Sequence, residues 1–220
     1  MHGWSALILA GGAGRRFGAG KHGGKLLADM AGAPVIRRVG EAVAAAGFSE
    51  VVVVTGADDA RIRVALAGLP CRILHAPDWA EGMAASLRCG IAALSATSEG
   101  VCVFLGDMPL VPAGLCAGLA QAASQAGYAA RPQFDGQPGH PVAFTRAAFA
   151  DLMTLTGDQG ATPLLRERAS EVAYCDTADS GALLDIDTPA DLAAAQAAWK
   201  PCATSATSES ATSRGALPKP

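Results

Sequence analysis

A glycine-rich stretch near the N-terminus is the part of this sequence most suited to chemistry. Its sequence is Leu9-Ala10-Gly11-Gly12-Ala13-Gly14-Arg15-Arg16-Phe17-Gly18, and Lys25 follows after further glycines. Glycines let the backbone approach an anion and point successive N–H groups at it, and basic side chains add positive charge. The stretch therefore predicts a cradle for phosphate groups.

Two known phosphate-binding motifs fit this stretch poorly. The Walker A pattern needs a serine or threonine directly after its lysine, but Leu26 follows Lys25 and offers no hydroxyl to a metal ion. The dinucleotide fingerprint needs a third glycine where Arg15 and Arg16 interrupt the spacing. A tight turn with solvated arginines is the simplest alternative.

Asp107 follows a buried apolar run, where an unpaired carboxylate is costly unless it faces a ligand or an ion. A hard oxygen donor suits Mg²⁺, and the alternative is a cap on a helix after Pro109. Asp185 and Asp187 flank Ile186, so both would point the same way in a strand and could act as paired metal ligands. The order Asp187-Thr188-Pro189 is also an ordinary helix start.

Alternating apolar segments must position these side chains. Strands are predicted over residues 4–10, 51–55, 71–75 and 101–105, and helices over 35–46, 61–67 and 83–94. This alternation predicts a doubly wound, mostly parallel α/β sheet whose ligand binds at the carboxyl ends of the strands. Both Gly11 and Asp107 fall at such ends.

The second half of the chain predicts helices over 113–126, 146–155, 162–168 and 191–199, and strands over 128–132 and 141–144. We expect one domain over residues 1–200, with a nucleotide-binding N-terminal half and an acceptor-binding C-terminal half. Residues 201–220 contain mostly Pro, Ala, Ser and Thr, so a disordered tail is expected there.

Composition narrows the class of protein. Half of the 220 residues are apolar, and the formal charge of −3 argues against a nucleic-acid partner. No apolar run reaches the roughly 18 residues of a membrane span and no leader sequence is evident, so a cytoplasmic protein without a membrane partner is expected. The six cysteines form no C-x-x-C pair and should be reduced, mostly buried residues.

Several motifs resemble the molybdopterin nucleotidyltransferase-like family. Besides Leu-Ala-Gly-Gly (9–12), Arg-Arg-Phe-Gly (15–18) and Lys-Leu-Leu (25–27), they include Gly-Met-Ala-Ala-Ser-Leu-Arg (82–88), Gly-Asp-Met-Pro (106–109), Gly-His-Pro (139–141), Gly-Asp-Gln-Gly-Ala (157–161) and Asp-Ile-Asp-Thr-Pro (185–189). The resemblance spans residues 5–199. It implies a Rossmann-like three-layer fold of the nucleotide-diphospho-sugar transferase type and transfer of a nucleotidyl group to a phosphate, with release of pyrophosphate.

Within that family the motifs resemble the molybdenum cofactor cytidylyltransferases more than the guanylyltransferases. The expected reaction is in-line attack by the terminal phosphate of molybdopterin on the α-phosphate of CTP. The expected metal is Mg²⁺, or Mn²⁺ in its place, held by Asp107 with Asp187 as a candidate second ligand. Lys25 would neutralise charge near the α-phosphate and Arg15 would stabilise the departing pyrophosphate, with Lys21 as an alternative to Lys25.

Further binding residues are expected on the same basis. The nucleotide contacts are expected at Leu9, Ala10, Gly11, Gly12, Gly14, Arg15, Lys25, Gly82, Ser86 and Leu87. The family often has an asparagine where this chain has Ala76, which puts one base or ribose contact in question. His140 and Asp158 are expected to bind the acceptor, although a structural histidine and a helix-capping Asp158 are simple alternatives.

Other functions are also compatible with the sequence. The same chemistry could use GTP with molybdopterin, or CTP with a sugar or isoprenoid phosphate. A dinucleotide-binding oxidoreductase would need NAD(P)H and no Mg²⁺. A chaperone that binds the cofactor without turnover would deliver it to a molybdenum hydroxylase, which is also the enzyme that could receive a transferase's product.

Overall fold

A mixed, mostly parallel sheet forms the centre of the protein in the computed structural model, which describes residues 1–12, 17 and 24–199. The strands, in chain order, are β1 (Trp4–Ala10), β2 (Asp29–Met30), β3 (Ala33–Pro34), β4 (Glu50–Thr55), β5 (Arg72–His75), β6 (Gly100–Leu105), β7 (Ala129–Phe134), β8 (Gln137–Pro138), β9 (Val142–Thr145) and β10 (Val172–Asp176). β2 and β3 form a separate two-stranded sheet.

The order of the strands in the large sheet is β10-β7-β9-β6-β1-β4-β5, and β8 pairs with β7. β1 lies between β4 and β6 and runs parallel to both, whereas β9 is antiparallel to β6 and β7. Leu9 is in register with Val54 and with Leu105. The carboxyl ends of the three central strands therefore lie at one level, and the loops that follow them meet there.

Both faces of the sheet are covered, which is why its central strands consist almost entirely of apolar residues. All seven residues of β1 are buried. Ile8, Val53 and Phe104 point into one core cluster, and Leu7 and Val52 point into another on the opposite face. Burying each of these large side chains contributes about 1.5–3 kcal/mol to stability.

Seven helices pack around the sheet: α1 (Val35–Ala45), α2 (Asp59–Ala65), α3 (Met83–Ala93), α4 (Leu115–Ala126), α5 (Phe149–Leu152), α6 (Thr162–Glu167) and α7 (Pro189–Ala198), within the described part of the chain. α1 and α4 contribute to the cluster around Ile8, and α3 to the cluster around Leu7. Helices thus cover both faces. The predicted Rossmann-like α/β fold is confirmed.

Several elements of the structure differ from those predicted from the sequence. The helix predicted over residues 146–155 is only a 3-10 turn at Arg146–Ala148 followed by the four residues of α5. Strands β2, β3, β8 and β10 were not predicted. The first three have only two residues each, and the edge strand β10 has a short Val-Ala-Tyr-Cys run without the Val-, Ile- and Leu-rich pattern of the central strands. The predicted tail over residues 201–220 lies outside the described residues.

Five of the six cysteines lie among the described residues. Cys102 and Cys116 are buried, and Cys71, Cys89 and Cys175 are partly buried, and all five are free thiols. Cys202 lies outside the described residues. No helix among the described residues combines the length and apolar character needed to cross a membrane.

Candidate active site

A cleft of about 700 Å³ opens at the carboxyl ends of β1 and β6. Gly11 and Gly12, which directly follow β1, form part of one side, and the loop after β6 contributes Asp107. The start of α3 and two distant loops complete the walls. The lining residues are Leu9, Ala10, Gly11, Gly12, Lys25, Leu26, Trp79, Ala80, Gly82, Met83, Ser86, Leu105, Asp107, Asp158 and Asp187.

An ammonium group between two carboxylates is the main charged feature of this cleft. Lys25 Nζ donates to Asp107 Oδ2 at 2.5 Å and to Asp187 Oδ1 at 2.6 Å. The side chains of Lys25 and Asp107 are each only 16% exposed, and that of Asp187 is 37% exposed. Burial lowers the pKa of Lys25, but attraction to Asp107 and Asp187 outweighs it and raises the pKa overall, so the lysine is charged.

Backbone hydrogen bonds hold the two carboxylates together. The Gly106 N–H donates to Leu9 O at 2.9 Å, which ties the loop after β6 to β1. The Ile186 N–H donates to Asp107 O at 3.0 Å, which brings Asp187 alongside. These bonds explain why two aspartates that are far apart in sequence share one lysine.

The other oxygen of Asp107, Oδ1, is buried and accepts no hydrogen bond from any of the described residues. Leaving a buried carboxylate oxygen unsatisfied costs about 1–3 kcal/mol or more, so this atom is suited to a further ligand. Asp107 does not cap a helix, because α4 begins only at Leu115 with Gly114 as its N-cap residue. The capping alternative for Asp107 is therefore wrong.

The segment around Asp185 and Asp187 is an irregular loop rather than the strand considered above. The two carboxylates therefore do not form the regular pair that a strand would produce. Burial raises the pKa of Asp185, and repulsion from Asp107 adds to this shift. Asp187 is the one that contacts Lys25.

The start of α7 is capped by Thr188 and Asp191, not by Asp187. The Thr188 side chain accepts from the Asp191 N–H at 3.2 Å, and Asp191 Oδ2 accepts from the Thr188 N–H at 2.7 Å. Asp191 Oδ2 also accepts from the Asp187 N–H at 3.1 Å. The capping box thus fixes the backbone of Asp187 and leaves its carboxylate for the cleft.

We predict that Thr188→Ala lowers the free energy of unfolding by about 1 kcal/mol, the usual loss for a removed N-cap side chain. Urea denaturation followed by circular dichroism measures this. Ser124→Ala, which removes a hydroxyl that bonds only to the preceding helical turn, is the matched control and should change little. An unchanged midpoint for Thr188→Ala would contradict a stabilising cap.

The nucleotide-binding residues expected from the sequence are partly brought together. Gly11 lies directly against Ser86, since a Cβ on Gly11 would be 2.5 Å from Ser86 Oγ. Gly82 precedes α3 with φ of 119°. Leu87 is buried in the core cluster around Leu7 and does not line the cleft. The predicted contact between Leu87 and the nucleotide can therefore involve only the backbone of Leu87.

Asp158 also lines the cleft, against the backbone of Gly82. The Ala84 N–H donates to Gly157 O at 3.0 Å, which docks the loop carrying Asp158 onto the start of α3. Asp158 does not cap α6, whose N-cap residue is Ala161 without a side-chain bond. The exposed carboxylate of Asp158 therefore faces the same cleft as the glycine loop.

His140 does not line the cleft. Its Nδ1 atom is buried and has no hydrogen-bond partner among the described residues. Burial, with repulsion from Arg131, lowers the pKa of His140 to about 4, so the ring is neutral at pH 7. The predicted role of His140 in acceptor binding stays a prediction.

Three predicted phosphate-binding residues, Gly14, Arg15 and the alternative Lys21, lie outside the described residues. The cleft contains apolar residues that the sequence did not single out, Trp79, Ala80 and Met83. Met83 is 39% exposed and, with Trp79, gives this part of the cleft an apolar surface. The signal in the sequence that could have identified them is their position next to Gly82, a predicted nucleotide-binding residue.

A metal ion fits this arrangement only if a bound substrate supplies some of the atoms that coordinate it. Asp107 and Asp187 offer hard oxygen donors, and Asp107 Oδ1 has no protein partner in the described chain. No three His, Cys, Asp or Glu side chains among the described residues are placed to hold an ion by themselves. Mg²⁺ commonly binds through one or two carboxylates plus substrate phosphates, which agrees with this donor set.

The sequence matches the profile of the MobA-like NTP transferase domain over residues 6–172. It is 32% identical over 194 residues to nicotine blue oxidoreductase of Paenarthrobacter nicotinovorans, over 84% of this chain and 92% of that protein.

Two solved structures share the fold. Rv0371c of Mycobacterium tuberculosis H37Rv, in complex with manganese, has a TM-score of 0.73 at 22% identity, over 89% of this chain and 99% of that one. A nucleotidyl transferase from Methanothermobacter has a TM-score of 0.75 at 21% identity, over 89% and 96% of the two chains.

Proposed function

Because this chain belongs to the MobA-like NTP transferase family, we propose that it transfers a nucleotidyl group from a nucleoside triphosphate to a phosphate-bearing acceptor. The donor is CTP and the acceptor is the terminal phosphate of molybdopterin. The observation that carries the proposal is the Lys25 ammonium between Asp107 and Asp187, in a cleft that the glycine-rich loop borders.

Asp107 and Asp187 would hold Mg²⁺, and Mn²⁺ in its place is supported by the manganese complex of the related structure. The ion would supply positive charge to the triphosphate oxygens. The phosphates would in turn supply ligands that the described residues do not provide.

The residues of the chain have separate tasks in this reaction. Gly11 and Gly12 place backbone N–H groups at the phosphates, and Lys25 neutralises charge near the α-phosphate. Trp79 and Met83 cover the nucleoside and keep water away from the reacting phosphate. An acceptor phosphate oxygen then bonds to the α-phosphorus as the bond to the β-phosphate breaks, and pyrophosphate leaves.

The test is to incubate the purified protein with Mg²⁺, molybdenum cofactor and each of CTP, GTP, ATP and UTP, and to measure pyrophosphate. Of the four nucleotides, only CTP is expected to release pyrophosphate. Release with GTP alone would change the assignment to guanylyl transfer, and release only with a sugar or isoprenoid phosphate as acceptor would change the acceptor. If the protein binds a nucleotide but releases no pyrophosphate with any combination of nucleotide and acceptor, a cofactor-carrying chaperone would be favoured instead.

A second candidate function is oxidation or reduction of a small molecule, because the relative of similar length is named an oxidoreductase. This alternative predicts NAD(P)H oxidation in the presence of a metal chelator. The charged cluster around Lys25 has no evident task in hydride transfer. The measurement is the NAD(P)H absorbance with and without EDTA, and metal-independent consumption would favour this alternative over the transferase.

The product of the transferase would pass to a molybdenum hydroxylase or dehydrogenase, as the partner proposed from the sequence. Co-purification of the protein with such an enzyme, lost when pyrophosphate release is blocked, tests this transfer. The proposal depends on the acceptor being molybdopterin.

Asp158 is proposed to bind the acceptor by accepting hydrogen bonds from N–H groups of the pterin. A hydrogen bond to a charged group contributes about 1.5–3 kcal/mol, so Asp158→Asn is expected to raise KM for the acceptor about tenfold or more. KM for CTP should not change. Asp176→Asn, an exposed carboxylate on the edge strand β10, is the matched control. A rise in KM for CTP instead would place Asp158 against the donor.

A further inference from the structure

Lys25 holds the same carboxylates that a metal ion would need. Its Nζ atom is 2.5 Å from Asp107 Oδ2 and 2.6 Å from Asp187 Oδ1, so its ammonium lies between both oxygen donors. Ligand oxygens lie about 2.0–2.1 Å from Mg²⁺, so an ion bound to both carboxylates would occupy nearly the position of the ammonium. Lys25 and a metal ion therefore compete for one position.

The positive charges of Lys25 and of a metal ion make this competition stronger. All three side chains are at least partly buried, so repulsion between an ammonium and a divalent ion is weakly screened there. In the absence of a metal, the same lysine reduces the repulsion between the two carboxylates. The ammonium is thus a stabilising partner in one state and an obstacle in the other.

The position of Lys25 in the chain would let it change partner. It begins a 3-10 turn at Lys25–Leu27, in which Leu26 is buried and the Leu27 N–H donates to Gly24 O at 2.9 Å. The turn anchors the backbone, while the long side chain lines the same cleft as Gly11 and Gly12. A triphosphate in the cleft would offer the ammonium anionic oxygens in place of the two carboxylates.

We propose that Lys25 is an internal counter-ion that occupies the metal position in the nucleotide-free protein and leaves it for the triphosphate when the nucleotide binds. This inference rests on the proposed nucleotidyl transfer. It follows that a divalent ion binds weakly alone and more tightly with the nucleotide. The coupling is reciprocal, so the metal must strengthen nucleotide binding by the same factor.

The test is Mn²⁺ binding, measured by the decrease of the free-ion electron paramagnetic resonance signal, without any acceptor. Wild type is expected to bind Mn²⁺ weakly alone and about tenfold or more tightly with CTP, a coupling of the usual size. Lys25→Met removes the competing charge and should bind Mn²⁺ alone about tenfold more tightly than wild type. The gain that CTP adds should be smaller in this variant.

Arg63→Met is the matched control, because it removes one positive charge from a surface pair with Asp59. It should leave Mn²⁺ binding unchanged, whereas adding Asp107→Asn to Lys25→Met should abolish the gain. Equal or weaker Mn²⁺ binding by a folded Lys25→Met, or no gain from CTP in wild type, would overturn the inference. If Lys25→Met does not fold, Lys25→Gln replaces it and the wild-type comparison still decides.

These results are separate from the fate of the proposed function. If the protein releases no pyrophosphate with any nucleotide but Lys25→Met still binds Mn²⁺ more tightly, the counter-ion role is supported and the transferase function is rejected. If the protein releases pyrophosphate but Lys25 and Mn²⁺ do not compete, the transferase function is supported and the counter-ion role is rejected.

Discussion

Asp107→Asn is expected to lower the rate of pyrophosphate release at least about 100- to 1,000-fold, the usual loss when a preorganised charge-stabilising group is removed. The side chain keeps its shape but loses the negative charge that faces Lys25 and one of its two oxygen acceptors. The fold should persist, because Asp107 is held through its backbone by Ile186. Initial rates with CTP and Mg²⁺ measure the effect.

Glu41→Gln provides the control for Asp107→Asn, because Glu41 pairs with Arg37 and Arg38 on α1 and does not line the cleft. It should leave the rate unchanged. Circular dichroism should show that both variants are folded. Near-normal turnover by Asp107→Asn would move the metal site to other residues.

Gly56→Ala is expected to weaken CTP binding about tenfold or more without adding any atom to the cleft lining. A Cβ at position 56 would overlap the carbonyl oxygen of Gly11 and lie 2.9 Å from its Cα and 2.8 Å from Trp79 Cγ. Two of these atoms belong to the backbone and cannot rotate away. The backbone at Gly11 would therefore shift, which costs about 1–3 kcal/mol of stability and moves the N–H groups that we propose bind the phosphates.

Isothermal titration of CTP in the presence of Mg²⁺ measures this loss. Gly118→Ala is the matched control, since a Cβ at that position in α4 meets no atom within 4 Å. It should leave CTP affinity unchanged and should stabilise the helix by about 0.5–1 kcal/mol. Unchanged affinity in Gly56→Ala would show that Gly11 does not contact the phosphates.

Much of the fold could be predicted because the central strands carry their own signal. The predicted strand over residues 4–10 is β1, and the run of valines after Glu50 is β4. These strands are covered on both faces, so nearly every residue in them is apolar and the segments are recognisable without knowledge of their partners. Edge strand β10 is only partly covered, with Val172 its one buried residue, and its short sequence did not distinguish it from a loop.

The glycine-rich loop and Asp107 were predictable for a related reason. Each directly follows a strongly apolar strand, and parallel strands place their carboxyl ends together at the ligand. Local sequence is sufficient for that inference. The same reasoning could not choose between Lys25 and Lys21. The structure places Lys25 in the cleft, and Lys21 lies outside the described residues.

By itself, then, the sequence determined the kind of fold, the position of the glycine-rich loop after β1 and the likeness to nucleotidyltransferases, because apolar periodicity and short motifs are local properties. Only the tertiary structure brought Asp187 to Lys25, 162 positions away, and placed Asp158 in the cleft but His140 outside it. Those placements depend on single hydrogen bonds between distant loops, such as Ile186 to Asp107. Packing decides such bonds, and no local pattern encodes them.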